Sequence, residues 1–425
     1  MTDWTRTARV LRRAGFGASG AEIDAAVAQG VDRWLDSALA DAPEPQYPAL
    51  EAVPLPGGNA SQEERQRYRQ ALAEQGRVLA AWWVRQMATS ATPVAERLTF
   101  GWHQHWATSL SKVRLAPAML RQQRTFRSAG LGSFTTLAQA LVTDPALMFY
   151  LDAQQNTAAA PNENLARELM ELFCLGVGGG YTETDVKEAA RALTGWRITP
   201  AGPVLDPRRH DGGTKTLLGR TGPLDASAAV DAILAAPAHP AHLATRWWRQ
   251  LASPEPPPPP TLARLLAAYG PGRSLRALFR AVLTDPAFEA AAGSVVLSPV
   301  EWVVGSLRVL KVPVTDQVAM LALATLRGLG QVPLQPPNVS GWPSGQAWLS
   351  TASAQTRAAA AQRLVRAADL AVVADAAPAA RTDALAHLLG LPSFTARTLT
   401  ALQTAKGDPA ALTAIGLVSP EYQVA

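Results

Sequence analysis

The stretch NENLARELMELF, beginning at Asn162, places an amide, a guanidinium and two carboxylates on a single stripe. At about 100° per residue along a helix, Asn164, Arg167, Glu168 and Glu171 fall within about 100° of one another. Leu165, Leu169, Leu172 and Phe173 take the adjoining face. Glu168 and Glu171 at i,i+3, with Asn164 one turn earlier, could supply oxygen ligands to a divalent ion, as carboxylates do in helical bundles. Two other readings of the same residues stay open. Arg167 could pair with Glu163 or Glu171 on a solvated face, or the group could be a buried network tying helices together.

WHQHW supplies His103 and His105. Two residues apart on a helix they point about 200° from each other, so they cannot share one ion. At most one is expected to face the interior, with the other exposed. His105, joined to Glu168 and Glu171, would complete a mixed nitrogen and oxygen metal site. A histidine flanked by Trp102 and Trp106 could equally be a hydrogen-bonded core residue.

RRHDGGTK offers a third group. His210 and Asp211 could act as an acid–base pair, the two glycines let a backbone approach a ligand, and Lys215 could neutralise an anion. A plain glycine turn with polar residues explains the same letters. In QPPNVSGWPSGQAWLST, Trp342 and Trp348 could form an aromatic platform for a sugar or a protein, or plug the edge of a core.

The elements that must position these groups are helical almost throughout. Ile23, Val27, Val31, Trp34 and Leu35 keep helical spacing across a break at Gly30. The segment from Ser61 to Ser90 reads as one long helix, polar at first and apolar later. Pro93 opens another helix. TETDVKEAARALTG carries an N-cap at Thr182, acidic residues in its first turn and Gly195 as terminator. The repeated Thr-Asp-Pro-Ala at Asp144 and Asp285, with Ser419-Pro420 near the end, reads as punctuation at which a helix stops and restarts. We expect an all-α chain, 1–425 forming one large, mainly helical domain with two long irregular loops and little or no β. The breaks fall at a 53–61 loop, a Gly/Pro-rich 199–223 loop, a 253–261 polyproline spacer and a 336–349 Pro/Gly/Trp loop.

Composition narrows the functional classes. Of 425 residues 48% are hydrophobic and 17% charged, which is globular rather than disordered. The net charge of +5 is dispersed, with no basic run, so no nucleic-acid partner is expected. Cys174 is the only cysteine, which excludes an internal disulfide framework and a thiolate metal cage. It reads as a small buried hydrophobe. No apolar run reaches membrane-spanning length and no export signal opens the chain, so the cytoplasm is the default expectation. GxSxG, HExxH, P-loop and dinucleotide fingerprints are missing, which disfavours the enzymes built on them.

Several segments together carry a resemblance. LRRAGFG, WHQHWATS, DPALMFYLD, PNENLARELMELFCLGVGGGYTETDVKEAARALTGW, HDGGTKTLLG, SPVEWVVGSLR, PPNVSGWPSGQAWLST and SPEYQ occur in order along nearly the whole chain. On these the chain resembles the bacterial family catalogued as domain of unknown function 1800. The resemblance implies a mainly helical fold without an established general activity. It also implies a neighbour that looks like the phosphatase and sulfatase fold, which is a candidate partner, and frequent export, from which this chain departs by showing no signal, so that a periplasmic or secreted location stands as the alternative to the cytoplasm.

Two functional expectations follow. In the first, Glu168, His210 and Asp211 are catalytic in a hydrolase pocket between helices 162–174 and 94–110 and the 199–223 loop. Arg167, Lys215, Asn164 and Trp342 bind substrate there, and Glu168, Glu171 and His105 hold a divalent metal. In the second, the chain is a non-catalytic helical scaffold in which the same residues are structural.

Overall fold

The computed structural model describes residues 2–51 and 53–425. Among these it contains 24 α-helices and two small antiparallel sheets, so the all-α expectation holds with a minor β addition. Local signals act as their chemistry predicts. Ser61 caps the Gln62–Thr89 helix through a reciprocal bond pair with Glu64, and Thr182 does the same with Asp185 for Glu183–Ala192. Asp144, Asp285 and Ser419 each accept a backbone N–H at the start of a new helix, and proline takes its first position.

Two of the expected irregular segments are more ordered than their composition suggests. The 199–223 loop is largely two hairpins: β1 (Trp196–Thr199) pairs with β2 (Gly202–Leu205), and β3 (Lys215–Leu217) with β4 (Arg220–Gly222). Strands of three or four residues are too short for alternation to stand out from a loop. The 253–261 spacer ends early, because Pro259 and Pro260 open the Pro259–Tyr269 helix, whose first turn needs no proline N–H. The 336–349 segment contains a single 3-10 turn, Gly345–Trp348. It is fixed at Gly341, where φ is +87° and an added Cβ would lie 2.7 Å from the Gln104 carbonyl oxygen. Only glycine allows that approach.

The buried apolar side chains form two large clusters and one small one. The Pro93–His105 helix runs between the two large clusters. It sends Leu98 and Trp102 into one and Phe100 into the other. Glu96, Arg97, His103 and His105 on this helix are all buried. Each charge is met. Glu96 accepts from Arg127 at 2.7 and 3.0 Å, and from Trp83 Nε1 and Gln86 Nε2 at 3.2 Å. Arg97 and Arg13 share Glu301 Oε1 at 3.0 and 3.2 Å. Removing one member of a buried ion pair leaves an uncompensated charge in low dielectric, whereas an exposed pair would matter little.

Burial by itself would raise the Glu301 pKa, but Arg97, Arg13 and the Ser298 N–H hold it down to about 2. A carboxyl whose folded pKa lies below its ordinary 4.5 stabilises the fold above that value, and the contribution is lost as pH falls through about 2. Glu301→Gln is therefore expected to cost about 3–5 kcal/mol at pH 7. Urea unfolding of both proteins at successive pH values should show the gap narrowing below pH 4.5. A gap independent of pH would contradict the assignment.

Candidate functional site

The Asn164 stripe begins as an α-helix, Asn164–Glu168, and then widens into a π turn, Leu169–Cys174. The N–H groups of Leu175 and Gly176 both point to the Met170 carbonyl, at 2.8 and 3.2 Å. In a π turn each residue advances by less than in an α-helix, so the spacing that aligned Glu171 with Glu168 does not hold through it. Asn164 is exposed, while Arg167, Glu168 and Glu171 are half-buried. Arg167 Nη2 binds Glu163 at 3.0 Å and, across to the next helix, Glu183 at 2.7 Å. Burial, and then the Glu171 charge, raise the Glu168 pKa.

The end of this helix explains the histidines. Three successive carbonyls each accept from one imidazole: Leu172 O from His242 Nε2 at 3.0 Å, Phe173 O from His105 Nε2 at 2.9 Å, and Cys174 O from His239 Nδ1 at 3.0 Å. The far nitrogens complete the assignment. His105 Nδ1 accepts from Arg246 Nε at 3.3 Å, and His239 Nε2 accepts from the Tyr269 hydroxyl at 2.8 Å. Burial, with Arg246 second, keeps the His105 pKa well below its ordinary value, and burial lowers His239 to about 4. Both are neutral donors to the negative end of a helix.

The expectation that only one of His103 and His105 faces inward is corrected: both have zero exposure. They do point to opposite sides of the helix, but both sides lie inside the protein. His103 packs edge-on against Trp83 and Trp342, at ring distances of 5.4 and 5.5 Å. Neither of its ring nitrogens has a hydrogen-bond partner. Trp342 is itself buried and stacks on Phe100 at 5.7 Å, so it offers no open platform.

The hairpin residues form a separate local network. His210 Nδ1 bonds the Thr194 carbonyl at 2.9 Å, in a close approach where Gly195 has φ +89° and an added Cβ would lie 2.9 Å from His210. Asp211 is gripped by Arg191 at 2.7 and 3.3 Å, which lowers its pKa. Lys215, only 1% exposed, donates to the Asp211 and Gly213 carbonyls and so braces the turn. The proposed metal trio is not assembled: among the described residues no group of three or more His, Cys, Asp or Glu is placed to hold an ion. His105 faces the Phe173 backbone instead of the Glu168 and Glu171 carboxylates.

Several residues went unread in the sequence. His239, His242 and Arg246 occupy one face of the Ala238–Leu251 helix, at intervals of three and four, and that spacing was visible. A groove of about 710 Å³ was not visible, because it joins three distant segments. Leu72, Gly76 and Ala80 of the Gln62–Thr89 helix form part of its floor, with Leu110, Leu323 and Val332. Arg69, Arg77, Arg114 and Arg327 rim it, and no carboxylate lines it.

The two central histidines make opposite predictions. His105→Phe strips a donor from the Phe173 carbonyl and is expected to destabilise by about 1–3 kcal/mol. His103→Phe breaks no hydrogen bond and removes two unpartnered nitrogens, so it is expected to be neutral or stabilising. Thermal unfolding of both variants decides. Equal losses would overturn the distinction.

No curated protein and no solved structure matches the chain. The model of the family described as "Protein of unknown function (DUF1800)" matches residues 9–424, nearly the whole chain, and this protein belongs to that family.

Proposed function

We propose that this protein is a non-catalytic helical scaffold that docks an acidic amphipathic segment of a partner protein in the arginine-rimmed groove. The observation that carries the reading is the charge and polarity of that groove: an apolar floor under four guanidinium groups, with no lining carboxylate. Only Arg77 is paired, with Glu74; Arg69, Arg114 and Arg327 make no ion pair among the described residues. A helix with leucines on one face and glutamates on its flanks complements such a surface in both shape and charge.

The engagement of the other polar groups supports the same reading. Arg167, Asp211, Lys215, His105 and His210 all bind partners within the chain itself. A hydrolase would need a nucleophile, a base and an oxyanion donor converging on one accessible point. The first turns of the Gln62–Thr89 helix, exposed on nearly every side, extend the groove outward and enlarge the docking face. A phosphatase- or sulfatase-like protein is the partner to which the family resemblance points.

The test uses a synthetic acidic amphipathic helix and its lysine counterpart, each labelled for fluorescence anisotropy. The acidic peptide is expected to bind, and Arg114→Glu with Arg327→Glu to weaken it at least about tenfold, or 1.4 kcal/mol. Equal binding of the two peptides, or no effect of the substitutions, would refute the docking role. A parallel assay of phosphate, sulfate and carboxylic esters with added divalent ions is expected to show no turnover. Turnover abolished by Glu168→Gln would restore the hydrolase reading.

A further inference from the structure

A second concavity, sharing no lining residue with the groove, lies where the Pro93–His105 helix meets the Ala238–Leu251 helix and the Gly345–Trp348 turn. We propose that this cleft binds the phosphate group of a small molecule. Its volume is about 240 Å³, and Arg13, Arg97, Arg246 and Arg249 line it with Glu301 as the lone carboxylate. Four guanidinium groups facing one carboxylate leave an excess of three positive charges in a small space.

The four arginines are not equivalent. Arg13 and Arg97 share Glu301 and also donate to the Gln250 carbonyl, at 2.6 and 3.2 Å, so they belong to the frame. Arg246 is different. Its Nε donates to His105 Nδ1 at 3.3 Å, which orients the guanidinium, and the like charge of Arg249 acts on it. Burial and that neighbour both disfavour its charged form. A partly buried guanidinium without a carboxylate is a costly arrangement that a bound anion would relieve. Arg249, exposed and one turn further on, faces the same cleft.

The chemistry selects the ligand class. Arg246 and Arg249, one turn apart on the same helix, suit a tetrahedral dianion better than a flat monoanion, because each fork can grip a different pair of its oxygens. The volume admits a phosphate with a small polar body against Phe100 and Trp348, and is too small for an extended polynucleotide. The site is assembled from segments singled out in the sequence for other reasons. LRRAGFG contributes Arg13, SPVEW contributes Glu301, WHQHW contributes Gln104 and GWPSGQAW contributes the Pro343–Trp348 wall.

Calorimetric titration at constant ionic strength, with inorganic phosphate, glycerol 3-phosphate and glycerol as probes, tests the site. Saturable binding of a phosphate species with Kd below about 1 mM is expected, and none of glycerol. Tighter binding of the ester would assign the site to a phosphorylated metabolite, and equal affinity would assign it to free phosphate. Arg246→Gln and Arg249→Gln are each expected to weaken binding at least about tenfold, and Arg327→Gln, in the groove, to leave it unchanged. Arg249 is exposed, so its substitution keeps the test valid should Arg246→Gln misfold. Absence of saturable binding, or affinity indifferent to Arg249, would overturn the proposal while leaving the docking groove untouched.

Discussion

The Pro93–His105 helix has core on both sides while carrying a glutamate, an arginine and two histidines. A helix placed between two apolar clusters has no solvent face on which to hide polar groups. Each must find a partner inside or remain an unsatisfied group in low dielectric. The ion pairs of Glu96 with Arg127 and of Arg97 with Glu301 meet that constraint, and they fix which helices can pack against the central one. His105 extends the same logic to the Phe173 carbonyl. Much of the polar architecture can be read as the consequence of burying this one element on all sides.

The π turn is the clearest of those consequences. Widening the helix frees carbonyls that an α-helix would end differently, and imidazoles from two helices take them up one by one. Neutral histidine suits the task. It donates one hydrogen bond, fills space like an aromatic residue and introduces no buried charge. His105, which suggests metal chemistry in sequence, therefore acts here as a cap, and Arg246, which holds it, also faces the arginine-lined cleft. That link joins the helix end to a small cavity in which arginines outnumber carboxylates.

The molecule accordingly offers surfaces that could bind in place of groups that could react. Around the Asn164 helix and the two hairpins, Arg167, Asp211, His210 and Lys215 are engaged with the chain itself, whereas Glu168 and Glu171 make no hydrogen bond or ion pair among the described residues. Two concavities where guanidinium groups outnumber carboxylates lie elsewhere, one broad and apolar at its floor, the other small and polar. Both favour anionic guests, but of different size, and the chain's modest overall charge gives no hint of either.

Local physics was legible in the sequence. N-caps at Thr182, Asp144, Asp285 and Ser419, prolines at first helical turns and the break at Gly30 depend on neighbours within four residues, and they define the helices. The pairing of Arg167 with Glu163, four residues apart on one helix, is legible for the same reason. The depth of His103, the two hairpins after Gly195 and the convergence of Arg13, Arg246 and Glu301 were not legible. Helical periodicity says which residues share a face, but a face becomes surface, interior or cavity wall only when other elements cover it. For the arginine cleft that covering joins residues more than a hundred positions apart, as Arg13 with Glu301 and Arg246 with His105, and no spacing along the chain encodes it directly.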